Sequence, residues 1–489
     1  MSIAKMMNKR LLTALTAAFA FAAIADDFEV AAWRGETLAV LVPDYTELGA
    51  APAGLSVRRG VLKAVKFRPN SKGLQLSECY DRVEWGAEGS PCVAEITVPR
   101  TAKPGLYKWG LMDIRVVDRE LPPAKEWKYY LDLWQHPWAV ARIAGVAPFS
   151  KAHYAAMRPM WELLATAGQK ALTVTLVDKP WNHQCRDAYG SMIKRVKGDD
   201  GKWSFGYSLF DEYVAFGRSC GLGPHISCYT MCPWGNRVSW QDAHGKTHTV
   251  VAPPGSPEFA DFWGDFLTDF AAHLKSKGWF ADTYISMDER APEDVKKIAD
   301  FVQSRAPGMK IAMAGNRKPS DFTGITIDNY SQHLKYFSKD FLTEIQARRA
   351  AGYVTTYYVC CSPDRPNNML KSEIAENFWV GVYPAMTGLD GFLRWAWNSW
   401  PEDPLKDASF RQWMAGDTFL AYPGGVPSFR FLEIRNGIIA AEKLRILKEQ
   451  GLFQDEFAAL AASFDCEAAM KGKVNFSKLR DATLKFVNR

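Results

Sequence analysis

The pattern of hydrophobic and polar positions along this chain changes character near Pro137. From about Asp26 to Gln135, short alternating or β-rich runs are separated by turn residues such as Lys103-Pro104-Gly105, and no long stretch has helical periodicity. A succession of short strands with regular turns predicts a β-sandwich. This part of the sequence carries no carboxylate pair and no histidine cluster, which favours a scaffold or accessory domain over a catalytic one.

After Pro137, strand-sized apolar runs alternate with amphipathic segments such as Pro257 to Lys277 and Pro292 to Ser304. Eight strands alternating with helices predict a (β/α)8 TIM-like barrel, with its active site at the carboxyl ends of the strands. We therefore predict a β-sandwich domain at 26–137 and a catalytic barrel at 138–489 with a helical C-terminal extension. The candidate strands are Val140 to Val146, Leu172 to Val177, His225 to Thr230, Thr283 to Met287, Lys310 to Ala314, Gly324 to Ile327, Val354 to Val359 and Gly391 to Trp395.

Residues 1–25 have the features of a secretory signal. Lys5, Lys9 and Arg10 precede an apolar run that is too short to span a bilayer comfortably, and Ala23-Ile24-Ala25 offers a small-residue cleavage pattern. We expect an exported chain, periplasmic or secreted, that begins near Asp26 and has no stable membrane insertion.

Composition and charge narrow the possible functions. Hydrophobic residues make up 47% and charged residues 23% of the 489 positions, which is typical of a folded soluble protein. The net charge is +6, and three of the basic residues lie in the predicted leader. A charge of this size does not indicate a nucleic-acid-binding protein. The nine cysteines are an odd number, so at least one thiol of a monomer stays unpaired. No cysteine or histidine spacing matches a zinc site, and we expect neither a metal nor an organic cofactor.

The segment Tyr284-Ile285-Ser286-Met287-Asp288-Glu289-Arg290 carries the clearest chemistry, because a short apolar run ends in two adjacent carboxylates. The alternative is that Asp288 and Glu289 only start the next helix, since Ala291-Pro292-Glu293-Asp294 resembles a first helical turn. Neighbouring side chains of a strand point to opposite faces, so two adjacent acids converge on one ligand only where the chain leaves the strand. In the usual glycosidase the two carboxyl groups come from separate elements, whereas adjacent acids suit hydrolysis assisted by the 2-acetamido group of the substrate.

Aromatic and polar residues follow the other predicted strands and are candidates for substrate binding. The 18 Trp and 18 Tyr of the chain mostly fill cores in such proteins, but some of them can serve as platforms for the apolar faces of sugar rings. Three Trp within Trp395-Ala396-Trp397-Asn398-Ser399-Trp400 are typical of a carbohydrate platform, although one of them is expected to be buried support. The candidates are Trp181, His183, Tyr229, Trp234, Asn316, Tyr358, Trp395, Trp397, Asn398 and Trp400.

Several segments resemble the catalytic domain of glycoside hydrolase family 123, a family of retaining β-N-acetylgalactosaminidases, over roughly Asp132 to Leu447. They are Leu131-Asp132-Leu133-Trp134-Gln135-His136-Pro137, Ser286-Met287-Asp288-Glu289, Gly391-Phe392-Leu393-Arg394-Trp395-Ala396-Trp397-Asn398, and Gly416 to Gly424 leading to Ser428-Phe429-Arg430. The resemblance implies an N-terminal β-sandwich, a barrel, and the acetamido mechanism with Asp288 as the stabilising carboxylate and Glu289 as the acid/base. The family pattern often has Pro where this chain has Arg290.

We therefore expect an exo-acting hydrolase that releases β-linked N-acetylgalactosamine from the ends of glycans or glycoconjugates. A β-N-acetylglucosaminidase is the alternative among enzymes, because the acetamide chemistry does not sense the C4 hydroxyl. From another class, the chain could be a glycan-binding protein that kept the barrel and lost turnover.

Overall fold

The computed structural model describes residues 28–68 and 76–489, so the predicted leader at 1–25 lies outside the described residues. Contacts along the chain divide it into two compact units. One contains the residues up to Leu62, together with Glu84–Leu121 and Leu484–Arg489, and the other contains Lys63–Val83 and Pro122–Thr483. Within the described residues, no helix is both long enough and apolar enough to cross a membrane.

Most of the first unit belongs to two β-sheets that share one hydrophobic core, although Lys63–Phe67 and Ser77–Val83 of these sheets are counted in the second unit. A three-stranded sheet has the order Phe28–Arg34, Met112–Glu120, Gly105–Trp109, and a four-stranded sheet has the order Thr37–Val42, Cys92–Thr97, Ser56–Phe67, Ser77–Trp85. Side chains from both sheets, such as Ala32, Val40, Ile96 and Ile114, meet in a single buried cluster. Two sheets packed over one core form a sandwich, as the alternating pattern of this region predicts.

The second unit is organised around an eight-stranded parallel sheet that is nearly closed. Six pairs of strands that are consecutive in the chain are joined by parallel ladders, and a seventh ladder pairs the last strand with the first. The fold class is therefore the (β/α)8 type of barrel that the alternation predicts. The strands, in chain order, are Tyr130–Leu133, Ala171–Thr175, His225–Tyr229, Thr283–Asp288, Lys310–Gly315, Asn329–His333, Val354–Tyr358 and Gly391–Arg394.

The first and second barrel strands are joined mainly by side chains, at a place that we call the seam. The backbone there forms only an isolated bridge between Leu131 and Gln169. The Leu133 N–H donates to the Gln169 side-chain oxygen at 3.0 Å, and the Thr173 N–H donates to the Gln135 side-chain oxygen at 2.8 Å. Both glutamines are buried. A primary amide offers the same donor and acceptor as a peptide group, so these two side chains satisfy backbone groups that a regular ladder would pair.

Helices cover the barrel and extend it at the C-terminus. The α-helices are Tyr45–Leu48, Pro137–Ala144, Lys151–Ala165, Ser208–Ser219, Pro257–Ser276, Pro292–Arg305, Lys339–Ala350, Ile374–Thr387, Phe429–Glu449, Gln454–Ala462, Cys466–Met470 and Phe476–Val487. Short 3-10 turns lie at Ala124–Glu126, Phe280–Asp282, Pro319–Asp321 and Leu334–Tyr336. A four-stranded sheet has the order Trp203–Gly206, Lys194–Lys197, Arg237–Asp242, Thr247–Val251, and a small hairpin pairs Ala421–Tyr422 with Val426–Pro427.

Two of the predicted barrel strands are wrong. Val140 to Val146 lies largely within the helix Pro137–Ala144. Pro137 is in the first turn of this helix, and Gly145 ends it in a left-handed conformation. The strand in this part of the chain is Tyr130–Leu133 instead. Gly324 to Ile327 precedes the true strand Asn329–His333, whose residues are mostly polar although all five are buried. Hydropathy does not detect a strand of that composition.

Two buried ion pairs involve residues of the segments that resemble the family, and they are formed by Arg394 and Arg430. Arg394, at the end of the last barrel strand, pairs with Asp417 at 2.6 Å, and both side chains are almost completely buried. Arg430 forms two parallel contacts with Asp81, at 2.9 and 3.1 Å, and Tyr422 donates its hydroxyl to the same carboxylate at 2.7 Å. Planar bidentate geometry and a further donor are what make a buried pair tolerable.

We expect Asp81→Ala to lower the free energy of unfolding by about 3–5 kcal/mol, because the Arg430 guanidinium would stay buried without its counter-charge. Urea unfolding followed by tryptophan fluorescence measures the change. Asp407→Ala is the matched control, since Asp407 pairs with Arg68 at a partly exposed position and should cost less than about 1 kcal/mol. Equal losses in both variants would contradict a special role for the buried pair.

Candidate active site

The two adjacent acids lie at the carboxyl end of the fourth barrel strand. Asp288 is the last residue of that strand and pairs with Ala314 on the next one. Glu289 leaves the strand with a left-handed backbone, at φ 47°, while its N–H still donates to the Ala314 carbonyl at 2.8 Å. This change of backbone conformation breaks the strict alternation of the strand. Non-glycine residues in this conformation are uncommon and concentrate at functional sites.

Asp288 lies in an apolar environment with one strong polar partner. The Trp234 indole N–H donates to Asp288 Oδ2 at 3.3 Å. Burial and, to a smaller extent, the charge of Glu289 raise the pKa of Asp288 to about 7, although the Trp234 N–H and the Arg290 guanidinium act in the opposite direction. The carboxylate form of Asp288 is thus costly in the empty site, and a cationic or strongly donating ligand would stabilise it.

Glu289 is held by two donors from other strand ends. The Tyr358 hydroxyl donates to Glu289 Oε1 in a short hydrogen bond. The Asn316 side-chain amide donates to Oε2 at 3.4 Å. Burial, together with the charge of Glu289, raises the pKa of Tyr358 well above its usual value, so the phenol keeps its proton and remains a donor. The structure therefore places both oxygens of Glu289 in fixed positions at the mouth of the barrel.

Aromatic side chains form a continuous wall beside the acids. Trp134 stacks on Trp181 with ring centroids 5.1 Å apart, and both contact Tyr229, at 4.5 and 5.1 Å. Tyr358 belongs to the same buried cluster, and Trp234 and Trp395 pack against it while remaining partly exposed. Trp234 and Trp395 are therefore the rings of this wall that a sugar ring can reach, next to the two carboxyl groups.

The predicted binding residues separate into two groups. Six of them belong to the aromatic wall or contact the acids: Trp181, Tyr229, Trp234, Asn316, Tyr358 and Trp395. The structure places the other four elsewhere. Trp397 is fully buried against Phe431, and Trp400 is buried and donates to the Ala421 carbonyl. Asn398 bonds the backbone of His136 as both acceptor and donor, and His183 is exposed, with its carbonyl accepting from Arg411.

The sequence reasoning missed several members of the site. Trp134 lies in the centre of the aromatic wall, and its position one residue after the first barrel strand could have indicated it. Trp413 packs against Trp395 at 5.7 Å from a long loop that has no sequence signature. Asp417 holds the Trp395 ring in place, since its carboxylate accepts a hydrogen bond from the indole N–H of Trp395 at 3.3 Å. The wall is thus supported by the buried Arg394–Asp417 pair.

The described residues contain no group of three or more His, Cys, Asp or Glu side chains that could hold a metal ion. All nine cysteines are free thiols in the structure. The groups that the structure brings together at the site are the two carboxyl groups, their hydrogen-bond donors and the aromatic wall.

We expect Tyr358→Phe to lower kcat/KM by about 10- to 100-fold, because a hydrogen bond to a charged group contributes about 1.5–3 kcal/mol. Steady-state kinetics on a chromogenic glycoside measures the effect. Tyr357→Phe is the matched control: Tyr357 is the neighbouring buried tyrosine, and its hydroxyl donates to the Val380 carbonyl away from the acids. An unchanged kcat/KM in Tyr358→Phe would show that the hydrogen bond from Tyr358 to Glu289 does not contribute to catalysis.

Comparison with known proteins agrees with this architecture. A search of curated proteins found no match. A family 123 glycoside hydrolase from Clostridium perfringens, described for glycolipid glycan hydrolysis, superposes with a TM-score of 0.81 at 24% identity, covering 94% of this chain and 95% of that one. A xylanase with an Ig-like domain from termite gut reaches a TM-score of only 0.37 at 10% identity, over 86% of this chain and all of that one. The sequence model of the glycoside hydrolase 123 catalytic domain matches residues 134–447. The barrel with its adjacent acids thus belongs to glycoside hydrolase family 123.

Proposed function

We propose that this glycoside hydrolase is an exo-acting retaining enzyme that releases β-linked N-acetylgalactosamine by substrate-assisted catalysis. The observation that carries the proposal is the pair Asp288 and Glu289 at one strand end, each held by its own donors. Two acids on adjacent residues are poorly placed to flank a glycosidic bond from opposite sides, as classical glycosidases require. They are well placed to serve a nucleophile that the substrate supplies.

In the first step, the carbonyl oxygen of the substrate's 2-acetamido group attacks the anomeric carbon. The bond to the leaving oxygen breaks as Glu289 gives its proton to that oxygen, and the acetamide becomes a cationic oxazolinium ring. Asp288 accepts the acetamide N–H and stabilises the positive charge that develops on it. This cation is the partner that offsets the cost of a charged Asp288 in its apolar surroundings.

In the second step, water adds to the anomeric carbon and the oxazolinium ring opens. Glu289 takes a proton from the attacking water, which restores its acid form, and the acetamide is regenerated. Two displacements at the same carbon return the sugar in its original β-configuration, so the mechanism is retaining. Tyr358 and Asn316 keep the Glu289 carboxyl within reach of both oxygens throughout.

The partly exposed rings of Trp234 and Trp395, which pack against the buried aromatic cluster, support a pyranose substrate, because aromatic rings offer apolar faces to sugar rings. The Clostridium perfringens relative is described for glycolipid glycan hydrolysis, which supports a glycoconjugate as the natural substrate here. The basic and apolar N-terminal segment supports an exported location, periplasmic or secreted.

Paired chromogenic substrates test the proposal. The mature chain is assayed with aryl β-N-acetylgalactosaminide and aryl β-N-acetylglucosaminide, and the anomeric form of the first product is followed by NMR. We expect turnover of the galactosaminide with a β-product. Preference for the glucosaminide would assign the alternative specificity, and glycan binding without turnover of either would assign a binding protein. An α-product would reject the retaining mechanism.

A further inference from the structure

Three cationic side chains occupy consecutive loops at the active-site end of the barrel. Arg290, Arg317 and Lys335 each lie two residues after a barrel strand, the fourth, fifth and sixth in chain order. Within the part of the chain that the structure describes, none of these three side chains forms an ion pair with a carboxylate. Their loops therefore carry positive charge that no carboxylate of the described residues pairs with directly.

Other cations on the same end of the barrel are neutralised. Lys318 pairs with Asp340 at 3.1 Å, Arg365 pairs with Glu373 at 3.1 Å, and Arg186 pairs with Glu402 at 3.1 Å. Ion pairs are thus common in these loops. Arg290, Arg317 and Lys335 lack such pairs and lie close in sequence to the acids or to the residues that contact them.

Each of the three lies beside a residue of the active site. Arg290 directly follows Glu289, and Arg317 directly follows Asn316, which donates to Glu289. Lys335 lies two residues after His333, whose ring packs edge-on against Tyr358 at 4.8 Å. The three cations therefore lie within two residues of groups of the active site, at the ends of three successive strands.

Arg290 shows the clearest unmet bonding capacity. Its guanidinium lies over the Trp234 ring, 4.5 Å from the ring centroid, and the same Trp234 donates to Asp288. Its Nε atom is buried and has no hydrogen-bond partner in the described part of the chain. A guanidinium that is stacked on an aromatic face keeps its edge free for a planar or tetrahedral anion.

We propose that the substrate of this site carries an anionic substituent, a sulfate ester or a carboxylate, close to the cleaved bond, and that Arg290, Arg317 and Lys335 receive it. This inference rests on the proposed function. A neutral N-acetylhexosamine has no group that would pair with three cations. An anionic glycan, by contrast, would be repelled by two catalytic carboxyl groups unless positive charge surrounded them.

The test compares anionic and neutral substrates in two arms. The first arm pairs an aryl β-N-acetylhexosaminide 6-sulfate with its unsulfated form, which places the charge on the released sugar. The second arm pairs a short glycan that has a carboxylated sugar in the leaving group with its carboxyl-reduced form. We expect a preference of about tenfold or more for the anionic form in one arm, decreasing as NaCl is raised to about 0.5 M, because salt screens exposed charges.

The double variant Arg317→Gln/Lys335→Gln should reduce that anionic-to-neutral ratio by about tenfold, the loss expected for two charge-assisted contacts. Lys318→Gln is the matched control, since Lys318 is in the same loop but already pairs with Asp340, and it should keep the wild-type ratio. Equal ratios in all three proteins, or no preference in either arm, would overturn the inference.

A binding measurement separates this inference from the proposed function. Glu289→Gln protein is titrated calorimetrically with N-acetylhexosamine 6-sulfate and with the neutral sugar at low salt. Tighter binding of the sulfate, weakened by the double variant, supports the anion site even if no chromogenic substrate is turned over. If the neutral substrate is hydrolysed while neither charged form is preferred or bound more tightly, the proposed function stands and this inference fails.

Discussion

Replacing Glu289 by Gln is expected to lower kcat/KM on an unactivated β-N-acetylhexosaminide by about 10³-fold, within the range that general acid–base catalysis contributes. The glutamine keeps the volume of the side chain, and its single amide oxygen can still accept from Tyr358, so only the long contact with Asn316 is lost. It cannot, however, give a proton to the leaving oxygen. The measured loss therefore reports proton transfer rather than a collapsed site.

The choice of leaving group makes this result specific. A dinitrophenyl glycoside departs without a proton, so its first step should be largely restored in Glu289→Gln. Added azide should then restore the second step, because it needs no general base, and should yield a β-glycosyl azide. If kcat/KM of Glu289→Gln fell by the same factor on the unactivated and the dinitrophenyl glycosides, and azide had no effect, Glu289 would not be the acid/base.

Replacing Asp288 by Asn should lower kcat/KM by about 10²–10³-fold on N-acetyl substrates, the magnitude observed when one preorganised electrostatic group is removed from a transition state. An amide can contact the acetamide but cannot balance the charge of the oxazolinium. A thiazoline analogue of that intermediate should correspondingly bind the variant much more weakly than the wild type. Equal activity on sugars without the acetamide would reject the assisted mechanism.

The pH dependence gives a second readout of Asp288. Burial raises its pKa to about 7, so the carboxyl is protonated below that pH and ionised above it. Because the mechanism needs the ionised form, wild-type kcat/KM should fall as the pH drops below about 7. The acidic limb should be absent in Asp288→Asn. A wild-type profile that is flat between about pH 5 and 8 would contradict this assignment.

The same raised pKa predicts how the variant affects stability. The folded protein binds this proton more tightly than the unfolded chain does, so the contribution of Asp288 to stability is full below pH 4 and is lost as the pH rises through about 7. Above that pH the neutral Asn should therefore be at least as stable as the wild type, as judged by urea unfolding. A variant that is inactive yet not destabilised would separate catalysis from folding.

The barrel was predictable from the sequence where its strands are apolar and separated by amphipathic helices. Thr283–Asp288 and Lys310–Gly315 have this pattern, and both lie within a residue or two of the predicted ranges. Asn329–His333 is buried although most of its residues are polar, and its last residue, His333, packs against Tyr358 of the site. Tyr130–Leu133 is only four residues long, and the apolar helix that follows it gives the stronger hydropathy signal.

The acids were predictable because a strand end is recognisable locally, and no other predicted strand ends in adjacent carboxyl groups. Their partners depend on which strands become neighbours, which no local pattern contains. Trp397 and Trp395 illustrate the limit: they are two residues apart in one motif, yet one is fully buried against Phe431 and the other borders the site. The loop after the last strand does not alternate as a strand would, so period-two reasoning fails there.

At the seam between the first two barrel strands, closure of the barrel depends on the identity of two side chains. At the seven other junctions the hydrogen bonds join peptide groups, which every amino acid except proline supplies, so mutation of a side chain leaves the bonding pattern in place. At the seam, the Leu133 and Thr173 amides depend on Gln169 and Gln135. A substitution that removes the amide of either glutamine therefore deletes hydrogen bonds of the seam, whereas at the other junctions only proline would have this effect.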